Sequence, residues 1–269
     1  MKLHGQVALI TGAGRGIGRD LSLGLAAEGV RVGLVGRDQS TLSATVAECA
    51  ELGTHALAFV ADVTNDAQVR AAVNTVERDL GPLDLVISNA GSRESGPASP
   101  WEADADDWWR TIETNLRGPF LVAQAVLPAM TRRGRGRLLL VGSGMGLRPQ
   151  PLWSAYGVSK AASSRLMDSL ATALEGTGVT VLEMSPGPVR TDMTESMWGP
   201  AGEQPWNDVQ RMVDAVLRFA AGDLDALHGR FVHAARDDLD ALVQRAADIA
   251  RDDARTLRLR TYGADDPLA

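Results

Sequence analysis

A parallel, doubly wound α/β sheet is the fold that this sequence predicts, on two grounds. Apolar strand-like runs alternate with amphipathic helical stretches up to about residue 233, and the first run opens straight into a glycine-rich turn and a helix. Parallel neighbours need helical crossovers, so this alternation puts helices on both faces of the sheet. About seven strands are expected, near residues 6–11, 31–35, 56–60, 83–88, 137–142, 179–184 and 230–233, in a Rossmann-like arrangement. Ligands on such sheets bind beyond the carboxyl ends of the strands, where connections diverge to opposite faces.

The first strand, Val7-Ala-Leu-Ile10, leads into Thr11-Gly-Ala-Gly-Arg-Gly-Ile-Gly18 and a helical pattern through Leu21, Leu25 and Ala26. Glycines let a backbone approach a phosphate that side chains would hold away, and the following helix offers unpaired N–H groups. The spacing Gly12-x-x-x-Gly16-x-Gly18 departs from Gly-x-Gly-x-x-Gly, and ordinary turns are glycine-rich too. The second strand ends at Gly36-Arg37-Asp38, where Asp38 reads as a helix cap before Ser40 and Leu42. The third is followed by Ala61-Asp62-Val63; Asp62 is either a ligand contact or the cap of a helix starting near Asn65.

The fourth strand ends at Asn89-Ala90-Gly91, and a long helical pattern then carries Ile112-Glu-Thr-Asn-Leu-Arg-Gly-Pro119. Pro119 lacks an N–H and crowds the carbonyl of Asn115, which predicts a kink freeing that oxygen to hold a water, against the plain alternative of a helix irregularity. Ser143 follows the fifth strand, and Tyr156 and Lys160 lie four apart on the next helical stretch. The sixth strand runs into Pro186-Gly-Pro-Val-Arg-Thr191.

The 269 residues carry 45% hydrophobic side chains, enough for a sizeable core, and read as one domain, 1–269, with 234–269 an atypical carboxyl-terminal extension. Lys and Arg number 27 against 34 Asp and Glu, a net charge of −7, which argues against a nucleic-acid partner. No apolar run approaches the ~20 residues that span a bilayer, and no leader precedes the first strand, so a cytoplasmic location and no membrane partner are expected. Cys49 is the sole cysteine and reads as a small apolar helix residue; His4, His55, His228 and His233 show no ligand spacing, so no metal site is expected.

Tyr156 and Lys160 project from one helix face, where an ammonium near a phenol favours the phenolate and makes an acid–base device. That spacing alone is common on helix surfaces. Together with the glycine turn it resembles the short-chain dehydrogenase/reductase family in its single-domain form. The family's order of Thr-Gly-x-x-x-Gly-x-Gly, Asn-Ala-Gly, a lone Asn, Ser and Tyr-x-x-x-Lys is matched by Thr11 to Gly18, Asn89 to Gly91, Asn115, Ser143 and Tyr156/Lys160, and the resemblance spans about residues 5–233.

The resemblance implies a catalytic set of Asn115, Ser143, Tyr156 and Lys160. Tyr156 would give or take the proton, Lys160 would make it more acidic and hold the nicotinamide ribose, Ser143 would bond the reacting oxygen, and Asn115 would link Lys160 to solvent through a water. It implies cofactor contacts from Gly12, Arg15, Gly16, Ile17, Gly18, Arg37, Asp62, Val63, Asn89, Ala90, Gly91, Tyr156, Lys160, Pro186, Gly187, Val189 and Thr191. An acid at the end of the second strand would bond the ribose hydroxyl of NAD; this chain has Arg37, with Arg15 as a second charge, which favours NADP(H) over NAD(H).

The expected activity is interconversion of a carbonyl and an alcohol by an NADP(H)-dependent oxidoreductase. The alternatives are a catalytically silent dinucleotide-binding scaffold and an NAD-linked alcohol dehydrogenase working oxidatively. Segments 92–101, 144–153 and 193–206 border the reacting centre and hold Trp101, Met145, Leu147, Leu152, Trp153, Met193, Met197, Trp198 and Trp206, which suit a bulky apolar small-molecule substrate or a lid over its own core. Trp108 and Trp109 are expected to pack their helix against a neighbour. One further amphipathic helix is predicted through Leu239, Leu242, Val243, Ala246 and Ile249. Family habit implies a homodimer or homotetramer through the helices around 103–132 and 154–176.

Overall fold

The computed structural model describes residues 3–198, 206–263 and 265–267, without the Trp198 side chain. Its strands are β1 Val7–Thr11, β2 Arg31–Gly36, β3 Ala56–Val60, β4 Leu85–Ser88, β5 Gly136–Val141, β6 Val179–Ser185 and β7 Phe231–His233. They form one parallel sheet in the order β3-β2-β1-β4-β5-β6-β7. The helices are α1 Gly16–Ala27, α2 Gln39–Glu51, α3 Asp66–Asp79, α4 Ala105–Ile112, α5 Gly118–Arg133, α6 Ser154–Ala173, α7 Asp192–Trp198, α8 Gln210–Ala221, α9 Leu239–Gln244 and α10 Ala246–Arg251.

Side-chain alternation sends Ala8 and Ile10 into one core with Leu21, Leu34 and Phe219, and Val7 and Leu9 into the other with Val73, Val122 and Met167. Ile10 pairs with Leu34 of β2 on one side and Ile87 of β4 on the other. The strand order reverses between β1 and β4, so their outgoing chains part there and open a crevice. Among the described residues no helix is long and apolar enough to cross a membrane.

Between α4 and α5, Glu113–Arg117 form a π-helical turn, so the expected break at Asn115 is a widened turn within a continuing helix. Pro119 has no N–H to close an ordinary turn, and the N–H of Gly118 bonds the Glu113 carbonyl five residues back. Two expectations are corrected and one alternative is removed. The single helix through 239–249 is two short ones meeting at Arg245, with no buried residue in either. Asp62 does not cap α3: the Asn65 side chain accepts from the Gln68 N–H at 3.1 Å. Trp109 is exposed, whereas Trp108 does reach its neighbour, donating to the Ser154 hydroxyl at 3.0 Å.

Candidate active site

A cleft of about 1060 Å³ lies at the carboxyl ends of the strands. One wall is the turn between β1 and α1. A Cβ on Gly12 would lie 2.9 Å from the Ala90 Cα, and one on Gly18 only 2.2 Å from the Gly12 carbonyl oxygen. Thr11 and Asn89 lock this turn to β4: the Asn89 amide donates to the Thr11 and Gly12 carbonyls at 2.9 and 3.2 Å, and the Thr11 hydroxyl accepts from the Asn89 and Ala90 N–H groups, both at 3.0 Å. The first turn of α1 has no side-chain cap, so its N–H groups face the cleft unsatisfied by protein side chains. Bare backbone and an open helix end are what a pyrophosphate requires, and a dinucleotide fits here by that test.

Asp38, Asp62 and Arg37 sit together at the β2 and β3 ends of the cleft. Asp38 caps α2, accepting from the Thr41 N–H at 2.8 Å and the Ser40 hydroxyl at 2.7 Å. The Ser40 hydroxyl, then the Thr41 N–H, holds its carboxyl below the usual range. Burial pushes the Asp62 carboxyl up, but the Thr64 N–H and hydroxyl and the Arg37 charge outweigh it and hold Asp62 low. Arg15 reaches the other way, bonding Asp192 of α7 at 2.9 Å. Six basic residues line the cleft against three acidic ones, the reverse of the whole chain's balance.

On the opposite wall Ser143, Tyr156 and Lys160 all line the cleft. The Lys160 ammonium donates to the Val141 carbonyl at 2.8 Å and lies 5.7 Å from the centre of the Tyr156 ring. Ser143 starts the short turn Gly144–Leu147, its hydroxyl accepting from the Met145 N–H at 3.2 Å. Asn115 is buried behind the cleft rather than in it. Its amide oxygen accepts from the Ser92 N–H at 2.7 Å, and its amide nitrogen donates to the Ser92 carbonyl at 2.8 Å and the Ser159 hydroxyl at 2.9 Å.

Of the expected cofactor contacts, Ile17, Gly16, Val63, Gly91, Pro186, Gly187 and Thr191 also line the cleft. Val189 does not. It is buried beneath the loop, where its carbonyl accepts from the Thr194 hydroxyl at 2.6 Å. Of the expected substrate border, Met145, Leu147, Met193 and Met197 line the cleft, Trp101 points away and is 84% exposed, and Trp153 is buried under the Arg93 guanidinium. Residues 199–205 and the Trp198 side chain lie outside the described residues.

Phe231, His233 and Arg236, which no motif in the sequence marks, are brought to the cleft by the divergent carboxyl-terminal region. Burial, then the Arg236 charge, holds the His233 imidazole below its ordinary value. Glu94 is likewise unmarked in the sequence, and its buried carboxylate accepts from the Ala155 N–H at 2.6 Å and the Tyr156 N–H at 3.2 Å. Among the described residues no group of three His, Cys, Asp or Glu side chains is placed to hold a metal.

A family model described as short chain dehydrogenase matches residues 6–200. A short chain dehydrogenase of Pseudocercospora fijiensis is 32% identical, over 88% of this chain and 82% of that one. The gluconate 5-dehydrogenase of Gluconobacter oxydans is 34% identical, over 80% of this chain and 87% of its own. Among solved structures, an NAD+-bound xylitol dehydrogenase superposes with a TM-score of 0.79 at 27% identity, over 87% of this chain and 98% of its own.

Proposed function

The chain belongs to the short-chain dehydrogenase family and is an oxidoreductase of alcohol and carbonyl groups; from that premise we propose that it interconverts a ketone or aldehyde and its alcohol with NADP(H). Tyr156 is the general acid for reduction and the general base for oxidation. The observation that carries this reading is the placing of Tyr156 and Lys160, 5.7 Å from ammonium to ring centre, in the cleft that also holds the bare glycine turn. Bound nicotinamide supplies the hydride, and the chain contributes placement and proton transfer. Lys160 holds the ribose, Ser143 bonds the reacting oxygen, and the π-helical turn supports an Asn115 main-chain oxygen released to a water. Gly12, Gly16 and Gly18 admit the pyrophosphate.

Arg37 at the β2 end of the cleft supports NADP(H), and one oxygen of the neighbouring Asp38 is engaged in capping α2. Met145, Leu147, Met193, Met197 and Phe231 favour a bulky apolar substrate. A second reading, NAD+-linked oxidation of a polyol, draws on the xylitol and gluconate dehydrogenase likenesses. Exposed Trp109, Phe120 and Val158 on α4, α5 and α6 favour a homodimer or homotetramer, which size-exclusion chromatography checks. Tyr156→Phe is expected to lower kcat by about 10²- to 10⁴-fold while NADPH titration shows binding retained. Absence of turnover by the parent protein across panels of carbonyls and polyols would leave a dinucleotide-binding scaffold instead.

A further inference from the structure

Helix α6, which carries Tyr156 and Lys160, begins without a cap of its own. Its flanking residue is Trp153, whose side chain has no acceptor to offer, and no side chain there bonds the first turn. The missing acceptor comes from another part of the sheet. Glu94, in the loop after β4, places one carboxylate oxygen 2.6 Å from the Ala155 N–H and the other 3.2 Å from the Tyr156 N–H. Glu94 is only 5% exposed. Burying a carboxylate carries a large desolvation penalty, and a serine or aspartate at position 153 would have capped the helix without it.

The contact closes a ring of hydrogen bonds around the Tyr156 main chain. Its N–H is held by Glu94, and its carbonyl accepts from the Ser159 hydroxyl at 2.8 Å. Ser159 in turn accepts from the Asn115 amide at 2.9 Å. Asn115 grips both the N–H and the carbonyl of Ser92, two residues before Glu94. Arg93 braces the same loop from outside, with its guanidinium 5.1 Å from the centre of the Trp153 ring and its Nε 3.1 Å from the Ser196 hydroxyl of α7. The Tyr156 N–H is thus fixed by a side chain from the loop after β4, and its carbonyl by Ser159 of α6 itself, which Asn115 of the π-helical turn holds in turn.

We propose that Glu94 is a positioning residue for the reaction, its buried carboxylate setting where the first turn of α6 presents Tyr156 to the cleft. This rests on Tyr156 being the acid–base group. Glu94→Gln keeps the shape but replaces one of the two acceptor oxygens with an NH₂ that cannot accept from a backbone N–H, and Glu94→Ala removes both. Misplacement of a reacting group by about 1 Å can lower a rate 10²-fold. Glu94→Gln is therefore expected to lower kcat by about tenfold and Glu94→Ala by about 10²-fold. NADPH affinity should stay close to that of the parent, and the thermal midpoint should fall only by the few degrees that a lost helix cap accounts for. Hydrogen exchange of the Ala155 and Tyr156 amides, read without substrate, should quicken in both variants. Glu94→Asp, with two acceptors, should recover part of the rate.

A kcat unchanged in folded variants overturns the proposal. So does a kcat that falls only in step with NADPH affinity and thermal midpoint, which marks a plain stabilising cap. If Tyr156→Phe keeps its rate, the acid–base reading itself fails and the proposal falls with it. An active Tyr156 with an indifferent Glu94 removes the proposal alone. If Glu94→Ala does not fold, Glu94→Gln and the exchange rates decide.

Discussion

The two walls of the cleft are built by different means. On the β1–β3 side the phosphate-binding surface is main chain, shaped by glycines of one strand–turn–helix segment whose Cβ atoms would strike neighbouring atoms, and it is pinned from outside that segment by Asn89 and Ala90. On the β4–β7 side it is side chain, held by partners far apart in sequence: Glu94 with Tyr156, Asn115 with Ser159, and the carboxyl-terminal Phe231, His233 and Arg236. The first wall can take any ligand with the shape of a pyrophosphate. The second depends on side chains that meet only once the sheet has brought their elements together.

The largest expected effect is on the first wall. In Gly18→Ala the new methyl would lie 2.2 Å from the Gly12 carbonyl oxygen and 2.5 Å from the Asn89 amide nitrogen, so the turn must move. NADPH affinity should fall by about 10²-fold or more, a loss of roughly 3 kcal/mol, with a lower thermal midpoint. Gly144→Ala on the second wall meets nothing within 4 Å and should leave cofactor affinity unchanged. Equal losses in a fluorescence titration would erase the distinction between the walls.

Behind the second wall, β6 buries Glu183 completely, with one oxygen accepting from the Ser164 hydroxyl at 2.9 Å. Burial pushes its carboxyl from an ordinary 4.5 up to about 7, with Asp168 adding to the rise and Ser164 and Lys160 opposing it. The unfolded chain ionises this group first, so its contribution to stability is full below pH 4.5, declines as pH rises towards 7 and is flat above. A shift of that size corresponds to about 3 kcal/mol across the window. Glu183→Gln should flatten this part of the pH–stability curve and make the protein more stable at pH 8 by up to that amount, as denaturant melts would show. A wild-type curve flat from pH 4.5 to 7 would mean that Lys160 keeps Glu183 ionised throughout.

All seven strands were legible because buried parallel strands are continuous apolar runs, and the glycine turn because its chemistry is written in consecutive residues. Tyr156, Lys160 and Ser143 line the cleft, and Asp38 caps α2. What was not legible shares one cause: a side chain whose partner is distant in sequence has no local signature. Glu94 reads as one more polar loop residue, and the amphipathic pattern over 239–249 does not reveal its break at Arg245. The one available signal for Glu94 was negative: Trp153 cannot cap the helix that follows it.

A smaller effect is expected at the cofactor's ribose. Arg37→Leu removes a guanidinium that lines the cleft at the β2 end, and NADPH should bind about tenfold more weakly, roughly 1.4 kcal/mol, with NADH within about twofold. Isothermal titration with both cofactors checks this. Parallel losses would mean that Arg37 acts through Asp62, whose carboxylate its charge helps to hold ionised, and not on a 2′-phosphate.

The smallest effect lies where the two walls meet. Arg15 of the glycine turn and Asp192 of α7 pair at 2.9 Å across the cleft mouth, with side chains 77% and 78% exposed. A pair so open to solvent contributes at most about 1 kcal/mol, so Asp192→Asn should leave the thermal midpoint unchanged. It also releases a cation that the NADP(H) reading assigns to a phosphate. NADPH affinity should rise by about two- to threefold at low salt, a gain that fades as added salt screens the site. Weaker binding instead would show that Asp192 positions α7 over the cofactor, making this exposed pair a structural link between the walls.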